Sequence, residues 1–150
     1  MRLPSGDQVG ETSIARWRVS RWRSLPSGRE LRTLHPLKDE TIADVDLSPD
    51  GRWLAMTGRW VGSIWDVASG ALQCELRGHE DLVEGITFSP DGGEVATSSA
   101  DATVRLWDPR SGKLRRTLPA RPPDTPITSL AFSVDGEFEA MGCVDGSVRV

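Results

Sequence analysis

Apolar positions in this chain come in short bursts, never in long stripes. Val45-Asp46-Leu47, Trp53-Leu54-Ala55-Met56, Ile86-Thr87-Phe88, Val95-Ala96-Thr97 and the run from Ile127 to Phe132 are each of strand length. Turn formers separate them. Ser48-Pro49-Asp50-Gly51 joins the first pair, Ser89-Pro90-Asp91-Gly92 joins the second, and Ser133-Val134-Asp135-Gly136 follows Phe132. In such a unit Pro presets the φ of a turn's second position. Asp bonds its own backbone, and Gly takes a positive φ without a steric penalty. Strand, turn, strand reads as a hairpin. A second turn is expected at Ser99-Ala100-Asp101-Ala102, before Thr103-Val104-Arg105-Leu106-Trp107, and a third at Ser111-Gly112, before the strand from Lys113 to Leu118. No segment carries a long apolar pattern of 3.6-residue period, so almost no helix is expected.

The bursts repeat. The Ser-x-Asp-Gly units start at 48, 89 and 133, at offsets of 41 and 44. Ser27-Gly28, Ser69-Gly70 and Ser111-Gly112 are spaced by 42, as are Trp65-Asp66 and Trp107-Asp108. Three independent markers in one register define a repeat of about 42 residues. Three turns and four strands in such a length make one propeller blade.

Leu76-Arg77-Gly78-His79, Phe88-Ser89-Pro90-Asp91-Gly92 and Val104-Arg105-Leu106-Trp107-Asp108 together resemble the Gly-His to Trp-Asp signature of WD-repeat β-propellers. The resemblance covers roughly residues 34–150. It implies an all-β fold: an incomplete β-propeller arc of four-stranded antiparallel blades. The expected division is 1–34 as the tail of a degenerate blade, 35–76 as a degenerate blade, 77–118 as a well-preserved blade, and 119–150 as a truncated blade lacking its fourth strand. The first signature Trp is either Trp17, by local pattern, or Trp22, by spacing.

The family also implies a buried hydrogen-bonded tetrad. By position its members are His79, Thr97, Asp101 and Trp107. Such a chain pairs buried polar groups that would otherwise be costly. In the 35–76 copy Leu37 replaces His79, Met56 replaces Thr97, and Arg59-Trp60 stands near the Asp101 position. That blade is expected to rely on apolar packing alone. The 119–150 copy keeps Asp145 but has Met141 for Thr97 and no His. His79, Thr97 or Ser98, and Asp101 also match the composition of a catalytic triad. The repeat setting assigns them to structure, so no enzyme activity is expected.

Composition narrows the chemistry further. Residues 1–34 hold seven Arg against Asp7, Glu11 and Glu30, whereas the whole chain has a net charge of −4. The Arg-rich stretch with Trp17 and Trp22 opens nucleic-acid contact as an alternative. Overall acidity and placement on outer strands oppose it. Two Cys, Cys74 and Cys143, make no disulfide framework. With His79 and His35 they make a poor metal site, so neither metal nor cofactor is expected. No apolar run reaches about 18 residues, and Met1 to Gly10 lacks the apolar core of a signal peptide, which points to the cytoplasm.

Members of the family act as rigid platforms for peptides and proteins, so the expected role is a protein-interaction scaffold. Arg59 and Trp60 are the candidate partner contacts, because Arg and Trp are enriched in binding hot spots. The competing reading has Trp60 packing on an adjacent blade. Arg77, Glu80, Asp81, Arg121 and Asp124 fall in loops leading into inner strands. A second function class is a regulatory or sensor segment of a larger signalling protein such as a kinase or NTPase. Two complete blades and two partial ones leave edges free to associate. The chain is expected to be a piece of a longer propeller, with a self-assembled ring and a stand-alone relic as the alternatives.

Overall fold

The computed structural model describes residues 20–22, 31–34, 41–120 and 123–150. Trp17, His35, Leu37, Arg121 and Arg16, Arg18, Arg23 and Arg29 lie outside them. Among the described residues all regular structure is strand, arranged as four antiparallel sheets. β1 (Ser20–Trp22) pairs with β2 (Leu31–Thr33). Sheet one is β3 (Val45–Leu47), β4 (Trp53–Thr57), β5 (Gly62–Asp66) and β6 (Leu72–Leu76), paired in chain order. Sheet two is β7 (Val83–Phe88), β8 (Val95–Ser99), β9 (Thr103–Trp107) and β10 (Leu114–Pro119). Sheet three is β11 (Ile127–Phe132), β12 (Glu139–Cys143) and β13 (Val148–Arg149). Trp65 faces Leu72 across its strand pair and Trp107 faces Leu114. Trp22 is the register partner of Leu31, and Trp17 lies outside the described residues.

Side-chain chemistry sets each turn. Ser48 Oγ accepts the Trp53 N–H at 2.8 Å and donates to Asp50 Oδ1 at 2.6 Å, while Asp50 Oδ1 accepts the Arg52 N–H. Gly51 sits at φ +69°, a conformation that favours glycine. Ser89 and Asp91 repeat these bonds. So do Ser133 and Asp135, although Val134 replaces the Pro. The turn thus rests on Ser, Asp and Gly, with Pro an aid. After β5 and β9 the Asp of each Trp-Asp pair closes the next turn: Asp66 accepts the Ser69 N–H, and Asp108 accepts those of Arg110 and Ser111.

The core lies between sheets. Ala55, Ile64 and Leu76 of sheet one pack against Ile86, Phe88, Val95 and Trp107 of sheet two. Ala96, Val104 and Leu106 on the other face of sheet two pack against Ile127 and Cys143 of sheet three. Sheet two is therefore covered on both sides, and every residue of β8 is buried. Alternation along β8 sends Val95 to one neighbour and Ala96 to the other.

Polar bonds join sheets one and two at their innermost strands. Asp44 Oδ2 accepts the Ile86 N–H at 3.0 Å. Asp46 Oδ2 accepts the Phe88 N–H at 2.7 Å and the Thr87 hydroxyl at 3.1 Å. These amides point away from β8, so carboxylates from the preceding sheet satisfy a strand edge that would otherwise lie open. At the rim, Cys74 Sγ donates to the Pro109 carbonyl and Gln73 Nε2 to the Arg110 carbonyl.

Candidate functional site

Sheet two brings His79, Thr97, Asp101 and Trp107 together. Thr97 lies mid-strand on β8, opposite Arg105 of β9. Trp107 ends β9, and its ring and Thr97 lie on the face toward sheet one. Asp101 sits in the β8–β9 turn, which closes through the Ala102 N–H on the Ser99 carbonyl with Ala102 at φ +62°. His79 comes from the loop between β6 and β7. Gly78 precedes it at φ +150°, a conformation that L side chains rarely adopt, with the Arg105 guanidinium 2.6 Å from where a Cβ would stand.

The bonds form one chain. His79 Nδ1 lies 2.8 Å from Asp101 Oδ2, and a carboxylate only accepts, so Nδ1 carries the proton. Nε2 then accepts from Thr97 Oγ1 at 2.7 Å, and Thr97 Oγ1 accepts the Trp107 indole N–H at 2.8 Å. Asp101 takes further donors from the Glu80 N–H, the Thr103 N–H and the Thr103 hydroxyl. Burial opposes ionisation of Asp101. The hydrogen bonds from Thr103, Glu80 and His79 outweigh it and hold the carboxyl at about 2. Burial pushes the His79 imidazole below its ordinary value, against the pull of Asp101. The His79 side chain is 1% exposed and Thr97 is fully buried. The Asp-His-Thr order is that of a nucleophile relay. Here the hydroxyl is sealed from solvent and its acceptor capacity is taken by the indole.

Sheet one keeps the Trp of this set, as Trp65, and differs at the Thr97 and Asp101 positions. Met56 occupies the Thr97 position and is buried. The expectation that apolar packing alone holds this copy is incorrect. Trp65 Nε1 donates to Ser63 Oγ at 2.8 Å, two residues back on the same strand. A buried indole N–H requires an acceptor, and Ser63 provides one where Thr97 is lost. In sheet three Asp145 bonds the Ser147 N–H and Arg149 instead of a His.

The turn that replaces Asp101 in sheet one is tight, with the Gly58 N–H bonded to the Val61 carbonyl at 2.9 Å. Arg59 and Trp60 form its tip. Trp60 is 47% exposed, and the Arg59 guanidinium lies 5.8 Å from its ring centroid. The Arg59 carbonyl accepts the Val83 N–H at 3.2 Å, which fixes this tip beside the loop that carries His79, Glu80 and Asp81. Arg77 of that loop is paired with Glu75 at 2.7 Å, and Asp124 adopts φ +63° in the loop before β11.

Cys74 and His79 do not converge. Burial and the nearby Asp108 push the Cys74 thiol up to about 11, so it remains a thiol near neutral pH. Among the described residues no group of three or more His, Cys, Asp or Glu could hold a metal ion. Among the same residues no helix is long and apolar enough to cross a membrane.

Comparison with known proteins agrees with this architecture. The family model described as WD domain, G-beta repeat matches residues 70–108 and 112–150, together about half of the chain. An uncharacterized WD repeat-containing protein of Synechocystis is 38% identical over 104 residues, covering 69% of this chain and 29% of that protein. Nuclear distribution protein PAC1-1 of Uncinocarpus reesii is 36% identical over 110 residues, covering 59% of this chain and 24% of its own. The guanine nucleotide-binding protein subunit beta of Saccharomyces cerevisiae is 35% identical over 74 residues, covering 49% and 18%. The chain thus spans under a third of each relative's length. Repeat spacing, sheet order and these matches converge: the chain belongs to the WD-repeat family, and its antiparallel sheets are blades of a partial β-propeller.

Proposed function

We propose that this chain is a protein-interaction scaffold without catalysis of its own, and that Arg59 and Trp60 form its partner contact. One observation carries the reading. A large aromatic stands nearly half exposed on a short, hydrogen-bonded turn, at the place where sheet two instead invests Asp101 in a buried network. Trp beside Arg on a rigid support is the composition of a binding hot spot. In this reading the His79, Thr97, Asp101 and Trp107 network has a structural role. It holds the loop carrying Glu80 and Asp81 in place. The blades divide at 35–76, 77–118 and 119–150, with 1–34 as the tail of another. Two free thiols suit a reducing, cytoplasmic setting.

The test is quantitative affinity capture with the full chain and with an Arg59→Ala/Trp60→Ala variant of unchanged circular dichroism. Proteins retained by the first and lost by the second support the reading. A retained set that does not change with the substitutions overturns it.

A further inference from the structure

The surface around Trp60 is not electrically neutral. The Arg59 carbonyl to Val83 amide bond places the Trp60 turn against the stretch that enters β7. That stretch carries Glu80, Asp81 and Glu84. Glu80 and Asp81 are exposed and Glu84 is half-buried. Among the described residues none of the three is in an ion pair, whereas Arg77 is already neutralised by Glu75. Arg59, and the half-buried Arg105 whose guanidinium lies against Gly78, are thus two cations beside three carboxylates, all outside ion pairs among the described residues.

The backbone beneath the carboxylates is also held still. The Glu80 N–H is bonded to Asp101 at 3.0 Å, and the Asp81 carbonyl accepts the Ser99 hydroxyl at 3.2 Å. The Leu82 carbonyl accepts the Ala100 N–H at 2.9 Å. The loop backbone is therefore pinned to the turn of the buried network, and its side chains project from a fixed base. Preorganised charges of one sign select a partner of the other sign and speed its arrival. Trp60 adds an aromatic face, which attracts a cationic side chain.

We infer that the segment held at Trp60 is a cationic peptide, one that presents Lys or Arg side chains to Glu80, Asp81 and Glu84. The inference rests on the proposed docking role of Arg59 and Trp60 and specifies its partner. An anionic partner, nucleic acid included, would meet three carboxylates, two of them exposed, against Arg59 and the half-buried Arg105. Trp60 anchors the segment, and the three carboxylates set its charge.

The probes are two labelled Gly-Ser nonapeptides, one bearing two Arg and the other two Glu at the same places. Both are titrated into the full chain, with affinity read by fluorescence anisotropy and location by amide chemical shifts. The Arg peptide is expected to shift the amides of residues 58–61 and 80–84. Its affinity should fall at least roughly fivefold in Glu80→Gln/Asp81→Asn/Glu84→Gln, and severalfold between about 50 and about 300 mM salt. Trp60→Ala should weaken it as well. Equal binding of the Arg peptide by the triple variant overturns the inference. If the Glu peptide binds at these amides and is lost in Trp60→Ala, the docking surface stands and the cationic assignment falls. If neither peptide perturbs these residues, both fall.

Discussion

Thr97 shows how much one hydroxyl can carry. Its oxygen serves the His79 ring and the Trp107 indole together. Thr97→Val keeps the shape and strands two buried nitrogens, so roughly 2–4 kcal/mol of stability should be lost, read as a lower urea midpoint. Ser63→Ala in sheet one removes a single acceptor and should cost about 1 kcal/mol. The network also fixes the response to acid. Both His79 and Asp101 have folded-state values below their unfolded ones. Each therefore contributes stability that is complete above its unfolded value and lost as the pH falls through the folded one. Stability should decline first below about 6.5, as His79 is driven to protonate, and again between 3.8 and about 2 for Asp101. A urea midpoint recorded against pH checks this, and the His79→Gln variant should lack the first decline. The four network residues were legible because the repeat aligns each with a family position. Ser63 was not, because 42 residues on it aligns with Arg105, which plays no such part. The readable signal is a Ser two places before a Trp whose usual acceptor has been replaced.

At the level of strands and turns, Gly112 and Gly51 separate two demands on glycine. Both have φ near +68°. A Cβ on Gly51 meets nothing within 4 Å, whereas one on Gly112 would stand 2.7 Å from the Glu75 carbonyl of sheet one. Gly51→Ala should therefore cost about 1 kcal/mol, the price of left-handed backbone alone. Gly112→Ala should cost roughly 2 kcal/mol or more, because the turn must also back away from its neighbour. Equilibrium denaturation of the two variants gives the difference directly. Turn positions were open to sequence reading, since Ser, Asp and Gly act within a few residues of one another. The register shifts between Val83 and Gly85 and between Ile127 and Ser129 were not. Such bulges arise from pairing across strands, and no local residue pattern here announces them.

Across the whole molecule stability is held at two separate interfaces, one on each face of sheet two. Ile64 belongs to the first and Leu106 to the second. Ile64→Val should cost about 1 kcal/mol and Leu106→Ala about 2–5 kcal/mol. The double variant should equal their sum within about 0.5 kcal/mol, as expected where repeats interact only with nearest neighbours. Denaturant titrations followed by tryptophan fluorescence provide the comparison, and strong non-additivity would mean that strain passes through sheet two. The order of sheets followed from the sequence because the repeat is short and the turns are tight. The joints between sheets did not, since Asp44 and Asp46 find their acceptor roles 42 residues away.

That joint bears on how the chain folds correctly. A protein made of near-identical units risks docking the wrong pair during folding. Sheet one meets β7 through Asp44 and Asp46, and β7 is suited to them. The Ile86 and Phe88 amides face them, and Thr87 offers a hydroxyl to Asp46. At the place of Thr87, β11 has Ala131, which has no side-chain donor. The two aspartates therefore work as an address label, by which sheet one can tell its own neighbour from the next sheet along.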